Sequence, residues 1–66
     1  MRFYNMYDDE ASYYHKGQKY NISLEEGFVS KEDFNYYISK YKKVDFGVVI
    51  IDRIEDDILY FYCDEV

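Results

Sequence analysis

The chain has one cysteine, one histidine and three glycines among its 66 residues, and it has no proline and no tryptophan. Because Cys63 is the only cysteine, a disulfide bond within the chain is excluded. Cys63 and His15 are also the only soft metal ligands, so the sequence does not favour a structural zinc site. Three separated glycines cannot form a phosphate-binding loop. We therefore expect neither a metal nor a cofactor.

Long apolar segments are also missing. The longest uncharged apolar run is Ile58 to Cys63, far shorter than the roughly 20 residues of a membrane-spanning helix. The residues after Met1 do not form the apolar core of a secretory signal. A chain of this length has room for one hydrophobic core. These features predict a single cytoplasmic domain over residues 1–66.

Basic residues are scarce, since 8 lysines and arginines face 14 acids and the net charge is −6. Such a chain repels nucleic acids and anionic membranes and attracts basic proteins. The acids fall in four clusters: Asp8-Asp9-Glu10, Glu25-Glu26, Glu55-Asp56-Asp57 and Asp64-Glu65. None has the spacing of a calcium-binding EF-hand loop. The clusters are either solvated turns or a functional acidic surface.

Aromatic residues, by contrast, are abundant at 23%, and ten of them are tyrosines. Tyrosine combines a large apolar ring with a polar tip, so it suits both a core and an interface. The frequent Tyr, Lys, Ile, Asn and Phe have AT-rich codons, which indicates a low-GC bacterium or one of its phages. If a phage encodes the protein, we expect it in the host cytoplasm.

The sequence predicts a helix from Ser30 to Lys43. Ser30 is a favourable N-cap, Asp33 follows at the N3 position, and Val29 can pack on Phe34. Acids at the start and lysines at the end suit the helix dipole. One apolar stripe follows helical spacing, and its members are Phe34, Tyr37, Ile38 and Tyr41.

Two strands are predicted after the helix, Val44 to Ile54 and Ile58 to Asp64, separated by an acidic turn. A turn centred on Asp56-Asp57 would pair Ile54 with Leu59. Strict alternation then places on one face Val48, Ile50, Ile54, Leu59, Phe61 and Cys63. It places on the other face Val49, Ile51, Arg53, Tyr60 and Tyr62. We expect the helix stripe to cover the first face.

The N-terminal third is predicted to contain a short strand at Phe3 to Tyr7 and a hairpin about Lys16-Gly17, with arms Tyr13 to His15 and Gln18 to Leu24. The chain would then turn into the helix through Leu24 to Gly27. The expected fold is an α+β domain in the order β-hairpin, helix, β-hairpin, with one helix packed on an antiparallel sheet.

Catalysis is not expected. Cys63 and His15 are the only nucleophile and base that could form a pair, but Cys63 lies in an aliphatic strand and His15 lies beside a turn. Direct nucleic-acid binding is not expected either. Lys43 to Val49 resembles an RNA-binding strand, but Asp45 interrupts the motif and Val48 stands where a stacking ring belongs.

In size and acidity the chain resembles the small proteins by which phages block host enzymes, including DNA mimics that inhibit uracil-DNA glycosylase. The stretch Tyr14-His15-Lys16-Gly17 is similar to one in such an inhibitor, and we transfer no functional residue from it. The expected function is inhibition or regulation of another protein by occupying a basic site on it, and a nucleic-acid-binding site is one such site. The alternative is a structural or regulatory homo-oligomer. The predicted partner-binding residues are Val49, Ile51, Tyr60, Tyr62, Glu55, Asp56 and Asp57.

Overall fold

The single helix begins where its capping residues place it. The computed structural model describes residues 1–43 and 47–65, with α1 at Lys31–Lys43. The backbone N–H of Asp33 donates to Oγ of Ser30 at 3.1 Å. The N–H of Phe34 donates to the Ser30 carbonyl at 2.9 Å and closes the first turn. The predicted N-cap is therefore confirmed.

The predicted apolar stripe of α1 faces the core, since Phe34 and Tyr41 are buried and Tyr37 and Ile38 pack against them. The side chains of Lys42 and Lys43, expected to interact with the helix end, lie outside the described residues. Within residues 1–43 and 47–65, no helix is long and apolar enough to cross a membrane.

Six strands accompany the helix. They are β1 Arg2–Asn5, β2 Asp9–His15, β3 Gln18–Leu24, β4 Gly27–Val29, β5 Gly47–Glu55 and β6 Ile58–Glu65. The predicted first residues of the fifth strand, 44–46, lie outside the described part of the chain.

The main sheet has four strands in the order β4-β1-β6-β5, and β2 and β3 pair separately. β1 runs antiparallel to β4 and parallel to β6, while β5 and β6 form an antiparallel pair. An α+β fold is therefore observed. The prediction of one antiparallel sheet is wrong, and the predicted order omits β4. The parallel pairing joins the two ends of the chain, and no local sequence signal reports it.

The β5–β6 connection has φ angles of 52° at Asp56 and 61° at Asp57. Positive φ at both central residues is the geometry of a type I′ turn, which matches the twist of paired strands. Ile54 lies opposite Leu59, so the predicted pairing at the turn is confirmed.

A β-bulge interrupts β5 between Ile51 and Arg53. The extra residue reverses the alternation of side chains along the rest of the strand. Val49 therefore lies opposite Cys63, and Ile51 opposite Phe61, on the side that α1 covers. The predicted faces of Val48, Val49, Ile50 and Ile51 are wrong for this reason.

The core lies between α1 and this side of the sheet and also includes part of β3. The Phe34 ring stacks on Phe3 with centroids 4.4 Å apart and meets Phe61 edge-on at 4.9 Å. From β3, Ile22 and Leu24 are both buried in the same cluster. The separate hairpin is thus joined to the main sheet through its second strand.

Asn5, at the end of β1, is completely buried. Its side-chain amide donates to the carbonyl of Tyr7 at 2.7 Å and to that of Glu25 at 2.9 Å. Beside it, the Asp8 carboxylate accepts a hydrogen bond from the backbone N–H of Glu26. These bonds hold together the two loops that leave and re-enter the main sheet.

Candidate functional site

The sheet face opposite α1 carries a row of large side chains. Tyr4 of β1 lies between Phe28 of β4 and Tyr60 of β6. Tyr60 in turn lies opposite Arg53 of β5. Residues directly opposite on paired strands share a face, so this row crosses all four strands. We call this surface the aromatic face and define it by Arg2, Tyr4, Phe28, Arg53, Tyr60 and Tyr62.

The rings of the row contact one another. Tyr4 meets Phe28 edge-on, with centroids 5.0 Å apart and ring planes at 82°. Its other side meets Tyr60 at 5.7 Å, with planes tilted by 53°. Both lie within the range of favourable aromatic pairs. The rings therefore restrict one another's rotamers.

An arginine covers a ring near each edge of the row. The guanidinium carbon of Arg2 is 3.8 Å from the centroid of Phe28, and that of Arg53 is 3.9 Å from the centroid of Tyr60. Both distances are within the cation–π range. Each guanidinium thereby becomes part of the surface that a partner would meet.

Two carboxylates further fix Arg53. Its guanidinium donates to Asp52 at 2.8 Å and to Glu55 at 3.1 Å. The hydrogen bond to Asp52, followed by that to Glu55, raises the pKa of Arg53 above its ordinary value. The cation stays charged, and two hydrogen bonds help to hold it above Tyr60.

A second ring pair extends the aromatic face beyond β1. Tyr7 contacts Tyr62 with centroids 4.8 Å apart. Tyr7 and Phe28 each expose about half of their surface, while Tyr4, Tyr60 and Tyr62 are half-buried. Such partly embedded rings offer apolar contact area and lose little side-chain entropy when a partner covers them.

Acidic groups flank the aromatic face at both ends of β1. At one end, the backbone N–H of Arg2 donates to the Asp57 carbonyl at 3.0 Å, so the acidic turn lies there. At the other end lie the exposed residues Asp8 and Glu26, which are linked by a hydrogen bond. Four strand residues span roughly 13 Å, so one partner surface can meet both ends. An apolar centre with a polar rim is the usual anatomy of a protein interface.

The structure divides the predicted partner-binding residues into three groups. Tyr60 and Tyr62 lie on the aromatic face, and Glu55-Asp56-Asp57 form the turn at its end. Val49 and Ile51 lie on the side of α1 instead. The sequence thus placed two of the rings on one surface but assigned them the wrong aliphatic neighbours.

Arg2, Tyr4, Phe28 and Arg53 were not predicted as site residues. Arg2 and Tyr4 alternate along the first strand, which is a signal that they share a face. Nothing local indicates that this face continues onto β6, because the pairing joins residues at opposite ends of the chain.

The candidate groups for catalysis and metal binding are Cys63, His15 and the acidic side chains. Cys63 is buried on the α1 side of β6 at 7% exposure. The side chain of His15 lies outside the described residues, so the Cys63–His15 pair is not tested. Within the described ranges, no three His, Cys, Asp or Glu side chains are arranged to hold a metal ion.

The fold and this face define a small α+β domain whose main sheet is covered by one helix and carries aromatic side chains on its other side. Comparison with family models, with curated protein sequences and with solved structures finds no match for the chain. Its function must therefore be inferred from the aromatic face itself.

Proposed function

We propose that this protein is a non-catalytic binding protein that docks its aromatic face against a basic site of another protein and so inhibits or regulates it. Its partner would be a protein of a low-GC bacterium or of a phage host. The single observation that carries the proposal is the row of contacting side chains from Arg2 and Phe28 through Tyr4 and Tyr60 to Arg53.

The residue types on this face support protein recognition. Tyrosine and arginine are enriched among the residues that dominate binding energy at protein interfaces. Their mutual contacts restrict the rotamers before binding, which lowers the entropic cost of association. Tyr60 is central in this argument because it touches both Tyr4 and Arg53.

The charge distribution supports a basic partner. The chain carries a net charge of −6, and acids stand at both ends of the aromatic face. Rim charges act mainly on the rate of encounter and on the choice of partner. A site that binds nucleic acid is one basic surface of this kind. The same charge opposes a homo-oligomer, because two copies repel each other at low ionic strength.

Matched variants test the proposal. Tyr4→Ala/Tyr60→Ala removes the centre of the aromatic face. Tyr14→Ala/Tyr36→Ala removes two rings that are 74% and 51% exposed on β2 and α1. Each protein is used to capture partners from a low-GC bacterial lysate at low and high salt, and the affinity of the recovered protein is then measured by calorimetry.

We expect wild type and the control variant to capture the same basic protein at low salt. The aromatic-face variant should bind it at least about tenfold more weakly, the loss typical of interface anchors. Unchanged affinity in a folded aromatic-face variant would contradict the proposal. A wild-type dimer that this variant converts to a monomer would favour the homo-oligomer instead.

A further inference from the structure

The two edges of the main sheet differ in length and in protection. β4 is an edge of three residues, whereas β5 is an edge of nine. β5 pairs with β6 on one side and, among the described residues, with no strand on the other. An exposed edge offers unpaired backbone groups to any extended segment, and a short edge strand makes pairing with such a segment less favourable. Of these two edges of the main sheet, only β5 is long enough to accept one.

Only the second half of β5 is protected. The bulge lies between Ile51 and Arg53, and the ion pairs of Arg53 with Asp52 and Glu55 follow it. Bulges and charged side chains are the usual devices against edge pairing. The first half, from Gly47 to Ile51, has neither, and its Val48 and Ile51 are 39% and 47% exposed.

An apolar groove runs beside this unprotected half, between β5 and α1. Its lining residues are Ile38, Tyr41, Gly47, Val48, Val49 and Ile51. The groove has a volume of about 240 Å³, and a cavity of roughly 150 Å³ already holds a benzene-sized molecule. It therefore has room for one large apolar side chain.

The position of the groove determines the pattern of a segment that could bind there. Side chains of an added strand alternate between the two faces of a sheet. Those on one side would enter the groove beside Val49 and Ile51. Those on the other would lie at the margin of the aromatic face, beside Val48. Next to Val48, the neighbouring strand carries the carboxylate of Asp64.

We propose that β5 over Gly47–Ile51 binds an extended segment of a partner protein as an added β-strand, with apolar residues in the groove and lysine or arginine between them. Backbone hydrogen bonds would supply affinity, and the groove would supply specificity. Asp64 and the net charge of −6 favour the cationic segment. The same charge disfavours a second copy of this chain as the occupant.

Synthetic peptides test this proposal independently of the aromatic face. The probe is a short peptide of alternating valine and lysine with blocked ends. Its controls are the valine–glutamate peptide and a valine–lysine peptide N-methylated at every backbone amide, so that neither edge of the peptide can donate hydrogen bonds. Binding is measured by fluorescence anisotropy, and hydrogen exchange of the β5 amides is followed by NMR.

Two variants provide the matched comparison on the protein. Ile51→Lys places a charge at the groove, and Ile54→Lys places the same charge beyond the bulge at a 59% exposed position. We expect Ile51→Lys to weaken binding of the valine–lysine peptide at least about tenfold, and Ile54→Lys to leave it near wild type, since a charge at an edge blocks pairing locally.

The expected result also includes slower exchange, when the peptide is bound, of those amides between Gly47 and Ile51 that point away from β6. Equal binding of the valine–glutamate or N-methylated peptide would overturn the proposal. So would a wild-type dimer that Ile51→Lys dissociates, because a second copy would then occupy the edge. Tyr4→Ala/Tyr60→Ala should still bind the peptide, so the failure of one surface is separable from that of the other.

Discussion

The ring of Tyr41 in α1 lies over Gly47 at the start of β5, so that a Cβ atom added to Gly47 would be 2.6 Å from Cδ1 of Tyr41. Real Cβ atoms do not approach so closely, and Tyr41 is buried at 4% exposure with little room to move. The contact fixes how the end of α1 packs against β5. Glycine is required here for close approach.

Gly47→Ala should therefore destabilise the protein by about 1–3 kcal/mol, the usual cost of overpacking a core. Urea denaturation monitored by circular dichroism measures this loss. In a Tyr41→Ala background the added methyl group has no ring to meet, so the two changes should couple strongly in a double-mutant cycle. Additive effects would show that the close contact between Gly47 and Tyr41 is not the cause of the lost stability.

The N-cap of α1 gives a second prediction. Ser30→Ala removes the acceptor for the Asp33 N–H and should cost about 1 kcal/mol. Ser39→Ala, on the exposed side of α1, removes the same hydroxyl without a cap and should be neutral to slightly stabilising, because alanine has the higher helix propensity. Ser30→Asp should retain most of the stability. Equal losses for both alanine variants in thermal unfolding would contradict the capping role.

Buried Asn5 gives a third prediction. In the Asn5→Asp variant at neutral pH, a carboxylate would replace the donor that serves the carbonyls of Tyr7 and Glu25. We expect a loss of about 3 kcal/mol or more, exceeding that of Asn5→Ala, because a buried charge costs more than an unmade hydrogen bond. Asn35→Asp changes the charge equally at an exposed site and is the control.

The difference in the free energy of unfolding between Asn5→Asp and Asn5→Ala should become smaller in acid, where the carboxyl group of Asp is protonated and can donate a hydrogen bond again. Chemical denaturation at neutral and acidic pH measures both variants. If the difference does not depend on pH, the loss is steric and the hydrogen-bonding explanation is wrong.

Tyr37 predicts how stability changes in alkaline solution. Partial burial raises the pKa of its phenol, and the negative charge of Asp33 raises it further. The folded state therefore holds the phenolic proton more tightly than the unfolded state, whose tyrosines have a pKa of about 10. This contribution is complete below that pH and is lost as the pH rises through the folded pKa.

Replacement of Tyr37 by phenylalanine removes the contribution of this phenol to the pH dependence of stability. Between about pH 9 and pH 11, Tyr37→Phe should lose less stability than wild type in urea denaturation. Tyr14→Phe, at a 74% exposed position, is the control and should follow the wild-type curve. A curve for Tyr37→Phe that parallels wild type would show that other groups govern alkaline unfolding.

The sequence predicted those elements whose signals are local. Ser30 and the apolar spacing after it define α1, and Asp56-Asp57 define the turn. Tyr60 and Tyr62 were placed on one surface because alternation counted from that turn holds along β6. The bulge in β5 has no comparable signal, since it inserts one residue without requiring a particular side chain.

The remaining part of the aromatic face depends on contacts between distant residues. Tyr4 reaches Tyr60 only because β1 pairs in parallel with β6. Such pairing depends on the packing of the whole sheet rather than on the residues of either strand. The sequence could therefore suggest that Tyr60 contacts a partner, but it could not indicate Tyr4, Phe28 and Arg2 beside it.

The acidic turn gives the last prediction, which rests on the proposed binding function. Asp56→Asn and Asp57→Asn are combined to remove two charges at the end of the aromatic face, while Glu55 is kept because its carboxylate holds Arg53. Asparagine tolerates the positive φ angles of 52° and 61° found at the two turn positions, so the hairpin should be retained. A loss of hairpin structure would be visible in circular dichroism.

At low salt, the variant with the neutralised turn should associate with the captured basic partner several-fold more slowly than wild type. Its association rate should also depend less on salt, while its dissociation rate should change little. Rim charges act on diffusional encounter, and salt screens them over about 10 Å at 0.1 M. Stopped-flow binding at several salt concentrations measures both rates. The control replaces Glu32 and Asp33, exposed acids on α1, by Gln and Asn. If both variants slow association equally, net charge alone is responsible and the turn has no special position.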